Sequence, residues 1–310
     1  MTLVRNWTLI TEIHLLGFGN LRQLNIGLFL LFFLIYYVTI SGNVIIILLV
    51  SRSRSLQSPM YFFLTQLSVC DSLMATTIIP NTLYVVMDHD ATVTFAGCLA
   101  QFYFFSASLA LESLLLTGMS YDRYLAICNP LRYNNIMDYL LCIKFIVFSW
   151  VLSFSVILNH VLAICHLEFC GPNVIDHYFC DLSPLLELSC SDTFIVQVEV
   201  TILVIPMALL QFLLVIVSYS YIIAAILGIP SETGRQKAFS TCSSHLTMVS
   251  MYYGTLLCTY LVPTRGQSLA ASKALSLLYT VLIPCINPII YSFRNKDIKE
   301  AIHRSILLDR

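Results

Sequence analysis

The chain has 310 residues, of which 58% are hydrophobic and only 11% are charged. A soluble domain usually carries about 25% charged residues, and its core cannot absorb this much apolar surface, whereas lipid can. The formal net charge is −1, which argues against the clustered basic face that binds nucleic acid. Composition therefore excludes an ordinary soluble domain and indicates an integral membrane protein.

Seven apolar segments follow one another along the chain. A helix needs about 20 apolar residues to cross ~30 Å of hydrocarbon. The predicted spans one to seven are 24–50, 57–86, 98–128, 139–165, 195–228, 237–262 and 270–292, between an N-terminal segment 1–23 and a tail 293–310. Beyond span seven, Ile298, Ala301, Ile302 and Ile306 share one helical face, which predicts a short amphipathic helix on the membrane surface. The fold class is therefore an all-α membrane protein, a single seven-transmembrane helix bundle over residues 1–310 with a short amphipathic C-terminal helix.

Basic residues indicate the orientation, because cytoplasmic loops carry an excess of Lys and Arg. With the N-terminus outside, twelve of the 16 Lys and Arg residues fall on the inner side. The four on the outer side are Arg5, Arg22, Arg265 and Lys273. The same orientation places Asn6, in an Asn-Trp-Thr glycosylation acceptor, on the luminal side. We expect a multi-pass plasma-membrane protein with an extracellular N-terminus and a cytoplasmic C-terminus.

Four cysteines lie in polar connections on the predicted outer side, where disulfides form. They are Cys98, Cys170, Cys180 and Cys190. Four cysteines allow three pairings, and the sequence alone does not choose among them. The chain has no His/Cys cluster with zinc spacing and no nucleophile–base pair, so we expect no enzyme and no resident cofactor.

Four motifs stand at the inner ends of the spans. They are PMYFFL (59–64) opening span two, MSYDRYLAIC (119–128) closing span three, KAFSTCSSHL (237–246) opening span six, and PCINPIIYS (284–292) closing span seven. Together they closely resemble the vertebrate odorant (olfactory) receptors, a branch of the rhodopsin-like (class A) G-protein-coupled receptors. The resemblance covers nearly the whole chain, and one departure is Ser120, where most members of the family carry Ala.

The resemblance implies a switch at the inner end of span three. Asp122 would hold Arg123 in the resting state. On activation Arg123 would be released toward the G protein, with Tyr219 and Tyr291 moving toward it. The predicted span six has no acidic residue near its inner end, so we expect His245 to be the partner of Arg123 on that span. The alternative is a helix-end ion pair that only snorkels toward water.

Two carboxylates, Asp71 and Glu112, are predicted deep in the membrane. An isolated charge there costs several kcal/mol, so such groups pair, become protonated or bind a cation. The resemblance implies an allosteric sodium ion between Asp71 and Glu112. The alternative is a pair of protonated acids that share hydrogen bonds.

The resemblance also chooses among the disulfide pairings. It implies that Cys98 pairs with Cys180 and that Cys170 pairs with Cys190. Both bridges would pin the long second outer loop over the mouth of the bundle, as a lid. That loop is acidic, and the alternative for most of its charges is an ordinary solvated surface.

Residues at helical spacing in the outer halves of spans three, five, six and seven match the ligand positions of the family. This predicted pocket consists of Phe102, Phe105, Ser106, Leu109, Leu203, Met207, Tyr253, Leu256, Leu257, Tyr260, Leu277 and Thr280. A mostly apolar cavity with a few hydroxyls suits a small, volatile or lipophilic molecule. The outer half of span three has no carboxylate to hold an amine.

The leading hypothesis is an odorant receptor that couples to the stimulatory, olfactory type of G protein and raises cyclic AMP. A non-odorant rhodopsin-like receptor for another small lipophilic ligand is the closest alternative. A transporter or channel would show inverted repeats or broken helices at the midplane, and neither is evident. A membrane enzyme would need the catalytic groups that the sequence lacks.

Overall fold

The computed structural model describes residues 10–88, 91–170, 173–261 and 269–308. The helices in chain order are α1 (Asn25–Arg52), α2 (Pro59–Met87), α3 (Phe95–Cys128), α4 (Pro130–Ile136), α5 (Tyr139–Cys165), α6 (Leu182–Glu187), α7 (Phe194–Glu199), α8 (Ile205–Leu227), α9 (Glu232–Leu261), α10 (Leu269–Leu277), α11 (Ile283–Arg294) and α12 (Lys296–Leu308). Two π-helical turns, Val200–Val204 and Leu278–Leu282, join α7 to α8 and α10 to α11. Spans one to four are therefore α1, α2, α3 and α5, span five is α7–α8, span six is α9, and span seven is α10–α11.

Among the described residues, six helices are long and apolar enough to cross a membrane, and α9 is the predicted span that is not among them. The inner third of α9 is polar, with the motif 237–246 and the charged residues before it. Nevertheless α9 packs against spans three, five and seven in the same bundle. The fold is the predicted all-α, seven-helix membrane bundle.

Span three forms the centre of the bundle. In the most apolar 18-residue stretch of span three, 67% of the residues are buried, compared with 17% in span one and 11% in span five. Span three is the more buried because spans two, four, five and six surround it. Gly118 permits a close approach of span four. A Cβ atom at Gly118 would lie 2.6 Å from the ring of Phe145, so the glycine lets span four pack directly onto the span-three backbone.

Polar caps fix where several helices begin. The Thr94 hydroxyl accepts a hydrogen bond from Gly97 N at 3.1 Å and starts α3, which begins at Phe95, three residues before the predicted span. The Ser231 hydroxyl accepts from Gly234 N at 3.1 Å at the start of α9. Span six therefore begins at Glu232 instead of at residue 237, because a cap, and not the apolar run, sets its first turn.

A small β-sheet, which the sequence analysis did not predict, covers the outer end of the bundle. Strand β1 (Glu12–Leu15) lies between β2 (Thr92–Thr94), to which it is antiparallel, and β3 (Val174–Ile175), to which it is parallel. Leu16 N donates to Ile175 O at 3.0 Å and continues the second pairing. The N-terminal segment is thus tied to both the first and the second outer loops.

The C-terminal helix α12 packs against the inner end of the bundle. Ile298 and Ala301 of the predicted apolar face are buried and Ile302 packs against the core, whereas the side chain of Ile306 lies outside the described residues. The Tyr61 hydroxyl donates to Asp297 Oδ2 at 2.7 Å and to Asn295 Oδ1 at 3.2 Å, so span two holds the junction between α11 and α12. The predicted amphipathic C-terminal helix is confirmed.

Candidate functional site

The inner end of span three carries a buried ion pair. Arg123 Nε donates to Asp122 Oδ2 at 2.9 Å, and its Nη2 donates to the same oxygen. Asp122 also accepts a hydrogen bond from the Tyr133 hydroxyl at 2.7 Å. Burial, followed by the charge of Asp122 and that hydrogen bond, raises the pKa of Tyr133 above its ordinary range, so its hydroxyl stays protonated as a donor. Both residues of the ion pair are buried, so leaving one partner without the other would be costly.

Tyr219, His245 and Tyr291 surround the ion pair from spans five, six and seven. The Tyr219 hydroxyl lies 2.6 Å from His245 Nδ1, and the two rings stack. His245 is therefore hydrogen-bonded to span five, and among the described residues the ion-pair partner of Arg123 is Asp122. Tyr291 is completely buried, and its hydroxyl has no hydrogen-bond partner in the described part of the chain. Glu232, which the predicted span six left out, is exposed and forms no ion pair with a described residue.

Asp71 and Glu112 meet near the middle of spans two and three, with Asn287 between them. All three are buried, and Asn287 Nδ2 lies 3.0 and 2.8 Å from the two carboxylate oxygens of Asp71 and 3.3 Å from Glu112 Oε1. Glu112 Oε2 and Asn287 Oδ1 have no hydrogen-bond partner among the described residues. Buried polar atoms are normally satisfied, so these two oxygen atoms could accept a further proton or a cation. An oxygen-only set of ligands suits a hard cation.

The outer end of the bundle is tied together by two disulfides, Cys98–Cys180 and Cys170–Cys190, with Cα–Cα separations of 5.5 and 5.8 Å. This is the pairing that the resemblance implied. Gln101 adds a polar connection, because its Oε1 accepts from Cys180 N at 2.9 Å and its Nε2 donates to Thr77 O at 3.0 Å. The second outer loop is thus anchored to spans two and three beside the bridge.

Two aromatic residues of this loop insert into the top of the bundle. Phe179 packs edge-on against Phe105 with ring centroids 5.2 Å apart, and the Tyr178 hydroxyl lies 2.9 Å from Thr280 Oγ1. Tyr178 also stacks on Phe18 at 5.2 Å, so the N-terminal segment covers it from above. Tyr178 and Phe179 are both completely buried. Strands β1 and β3, with these side chains, form the outer lid, residues 12–18 and 173–181.

Lys273 fastens the outer lid to span seven. Its Nζ lies 2.5 Å from Asp176 Oδ1 and 2.6 Å from Gly17 O. Gly17 adopts φ +56°, a conformation that favours glycine, and this turn brings its carbonyl group to the ammonium. The neighbouring His177 is buried, and burial together with the Lys273 charge lowers its pKa to about 4. The cation of Lys273 therefore holds both parts of the lid.

The residues of the predicted pocket do not all lie in one place. Phe102, Phe105 and Thr280 are buried at the outer end, and Leu109, Leu256 and Leu277 pack partly buried against the central core. Ser106 and Met207 are half-buried. Tyr253 and Leu257 line a different cleft, between spans five and six. Asn6, Arg5, Arg265 and the side chain of Tyr260 lie outside the described residues.

Leu203 is 45% exposed, and a π-helical turn explains why. Regular helical spacing predicts that Leu203 and Met207 share one face of span five with Glu199, which stands one turn earlier. The turn Val200–Val204 adds one residue, and each residue rotates a helix by about 100°. The three side chains therefore do not share the face that the spacing predicted.

Several residues of the site carried no role in the sequence analysis. The lid aromatics Tyr178 and Phe179 could have been suspected, because they directly precede Cys180, which the disulfide holds at the bundle. Tyr133 stands ten residues after Arg123, within the run that follows the motif of span three. Lys273 counted only as an outer positive charge. No local signal marks its contact with Asp176, because the two residues are 97 positions apart.

A seven-helix bundle with a buried Asp–Arg pair at the inner end of span three and a disulfide-tethered outer loop has the architecture of a rhodopsin-like receptor. The crystal structure of squid rhodopsin superposes on the chain with a TM-score of 0.69 and 16% sequence identity, covering 93% of this chain and 86% of that one. At this identity the likeness shows the fold alone.

Sequence comparisons define the family more closely. A family model described as olfactory receptor matches residues 32–310. Olfactory receptor 11L1 of Homo sapiens is 45% identical over 300 residues, which are 97% of this chain and 93% of that protein. Olfactory receptor 1468 of Rattus norvegicus is 42% identical over 96% of this chain and 95% of that protein. The chain therefore belongs to the olfactory receptor family, a family of multi-pass membrane receptors and not of enzymes, as the motifs predicted.

Proposed function

We propose that this chain is an odorant receptor that binds a small, mostly apolar odorant beneath the outer lid. It then activates a G protein of the stimulatory, olfactory type and raises cyclic AMP. The observation that carries this function is the outer lid, whose Phe179 and Tyr178 contact Phe105 on span three and Thr280 on span seven. Membership of the olfactory receptor family supports the ligand class.

The odorant would lie where the lid aromatics meet the spans. Phe105, Leu109, Leu256 and Leu277 offer apolar surface, and Thr280 offers one hydroxyl group. A volatile molecule with a single polar group fits such a lining, because its apolar part gains from burial while its polar group retains a hydrogen bond. Tyr178 now occupies that hydrogen bond with Thr280, so a ligand hydroxyl or carbonyl group would compete with it.

The N-terminus is extracellular and the C-terminus cytoplasmic in this proposal. The count of basic residues supports it, and so do the disulfides, which lie at the same end of the bundle as the outer lid and form in an oxidising compartment. Arg123 and α12 lie at the opposite end, where a G protein would bind. Asn6 would carry the glycan.

At the inner end, the buried Asp122–Arg123 pair is the resting state of the switch. Odorant binding shifts the population toward a state in which Arg123 leaves Asp122 and faces the G protein. Tyr219, His245 and Tyr291 rearrange with it, so the Tyr219–His245 hydrogen bond is exchanged for contacts to Arg123. Within the bundle, Asp71 and Glu112 hold either a sodium ion or shared protons. In either case Glu112 Oε2 and Asn287 Oδ1, which have no hydrogen-bond partner among the described residues, would accept the ion or a hydrogen bond.

The test is a cyclic-AMP reporter in cells that express the chain with the olfactory G protein, screened against a panel of volatiles. At least one volatile is expected to raise cyclic AMP, and Arg123→Ala is expected to abolish that response. Arg132→Ala is the matched control, because Arg132 is an exposed basic residue nearby on the inner side and should leave the response intact. Equal responses from both variants at equal surface expression would refute the proposed switch.

A further inference from the structure

A cleft between spans five and six lies between the outer lid and the inner ion pair, and it is lined by Tyr219 of the switch and by Tyr253 and Leu257 of the predicted pocket. It has a volume of about 260 Å³. Its floor is formed by Val215 and Tyr219 of span five and by Val249 and Tyr253 of span six, all of which are buried. The rim includes Ile216 and Leu257, which are exposed, so the cleft opens onto the lipid-facing surface.

The cleft exists because span six presents small side chains to span five. Ser250 and Gly254 are one helical turn apart and both line it. A Cβ atom built on Gly254 would meet no atom within 4 Å, so the space beside the glycine is open. Below it, Tyr219 and His245 bring the two spans together again through their hydrogen bond of 2.6 Å.

We propose that this cleft is a second binding site, which takes a small lipophilic alcohol that reaches it through the bilayer. Its volume lies just below the usual range of ligand pockets, roughly 300–1,000 Å³, so it suits a molecule smaller than a membrane lipid. The walls are aliphatic and aromatic, and the Ser250 hydroxyl, which donates to Leu246 O at 2.7 Å, can still accept a hydrogen bond. The rim faces hydrocarbon, so only molecules dissolved in the membrane reach it.

An occupant of the cleft stabilises the resting state. The cleft has this shape while the Asp122–Arg123 ion pair is intact and Tyr219 is bonded to His245. A ligand favours the state to which it binds more tightly, so filling the cleft opposes a movement of span six relative to span five. The existence of the site does not depend on the proposed function. Only this direction of its effect rests on the odorant response.

The site is tested first by photolabelling membranes that contain the receptor, without odorant, using a 1-decanol that carries an aliphatic diazirine and an alkyne. Labelling is expected to concentrate in 212–219 and 246–257, at least about fivefold above a reference surface on span four. That surface is formed by Val147, Phe148 and Val151, which are more exposed than the rim of the cleft. Unlabelled 1-decanol should reduce the labelling of the cleft but not that of span four. Even labelling of all lipid-facing segments would overturn the proposal.

Two variants at one position separate cleft volume from helix flexibility. Gly254→Leu fills the open space and is expected to lower the labelling of the cleft at least about fivefold. Gly254→Ala adds only one carbon and is expected to leave the labelling unchanged. Both variants remove the glycine, so flexibility is matched, and cell-surface amounts report folding. Equal labelling of the two variants would contradict a site in the cleft. If Gly254→Leu does not reach the surface, the competition experiment on the unmodified receptor decides.

The direction of the effect is tested in the cyclic-AMP assay. Added 1-decanol is expected to shift the odorant concentration–response curve to higher concentrations, by about fivefold, in the unmodified receptor and in Gly254→Ala but not in Gly254→Leu. A shift to lower concentrations, or an equal shift in Gly254→Leu, would overturn the assignment of the site to the resting state. If no odorant response exists at all, the proposed function fails while the labelling result still decides whether the site exists.

Discussion

Replacing Lys273 by methionine is expected to loosen the outer lid, because it removes the ammonium and keeps most of the apolar stem. The Lys273 side chain is 11% exposed and that of Asp176 is 44% exposed. A hydrogen bond to a charged group contributes about 1.5–3 kcal/mol when it is buried, and an exposed ion pair contributes at most about 1 kcal/mol. Because Asp176 can rehydrate, the loss should be about 1–2 kcal/mol, which corresponds to a five- to thirtyfold larger population of open lid.

Hydrogen–deuterium exchange of the receptor in lipid nanodiscs measures that population. The reporting amides are Leu16 N, which donates to Ile175 O at 3.0 Å, and Gly17 N, which donates to His177 O at 3.2 Å. Both should exchange five- to thirtyfold faster in Lys273→Met, by the same estimate. Lys299→Met, at an exposed position of α12, is the control and should change neither. Unchanged exchange across 12–18 and 173–181 in Lys273→Met would refute the role of Lys273 as the fastener of the lid.

Three further predictions concern other parts of the structure. The pKa of His177 is lowered to about 4 in the closed lid, so the closed lid should be fully stable above pH about 6.5 and should lose stability as the pH falls toward 4. Hydrogen exchange of the Gly17 amide, normalised for the intrinsic effect of pH, should therefore rise on the order of tenfold between pH 7 and pH 5. His177→Phe should remove this dependence, and a dependence that persists there would point to another group. Asn287→Ala leaves Asp71 and Glu112 without their shared hydrogen-bond donor and should lower the free energy of unfolding by about 3 kcal/mol. The Tm of the detergent-solubilised receptor should fall by several degrees. An unchanged Tm would argue that another group, such as a bound cation, holds the two acids. Gly118→Ala should force the Phe145 ring away and lower the free energy of unfolding by about 1–3 kcal/mol. Surface expression should fall, and adding Phe145→Leu should restore it. If the second substitution does not restore expression, the glycine serves another purpose.

The sequence predicted the helices well, because a membrane leaves few alternatives. A chain in hydrocarbon must satisfy its backbone groups within each segment, so long apolar runs become helices. The ends were less predictable. Span six begins at Glu232 because Ser231 caps it, and a cap is a local polar signal that a search for apolar runs passes over.

The outer lid was largely hidden from the sequence. Strand β1 pairs His14 with Val174 and Glu12 with Thr94, and no local pattern connects positions so far apart. The same is true of Lys273 with Asp176. Leu203 shows a different difficulty, because helical spacing was correct in principle but the turn Val200–Val204 changed the phase of span five. His245 was expected to be the partner of Arg123 on span six, yet its hydrogen bond goes to Tyr219, since the rotation of span six depends on its packing against span five.

The most direct test of the account measures GTP binding by the stimulatory, olfactory-type G protein, reconstituted in vesicles with the purified receptor and with a volatile that activates it in cells. The account predicts that the volatile accelerates nucleotide exchange with the unmodified receptor and not with Arg123→Ala, while Arg132→Ala behaves as the unmodified receptor does. A volatile-evoked ion current across vesicles that contain the receptor without any G protein, together with no acceleration of nucleotide exchange, would contradict it.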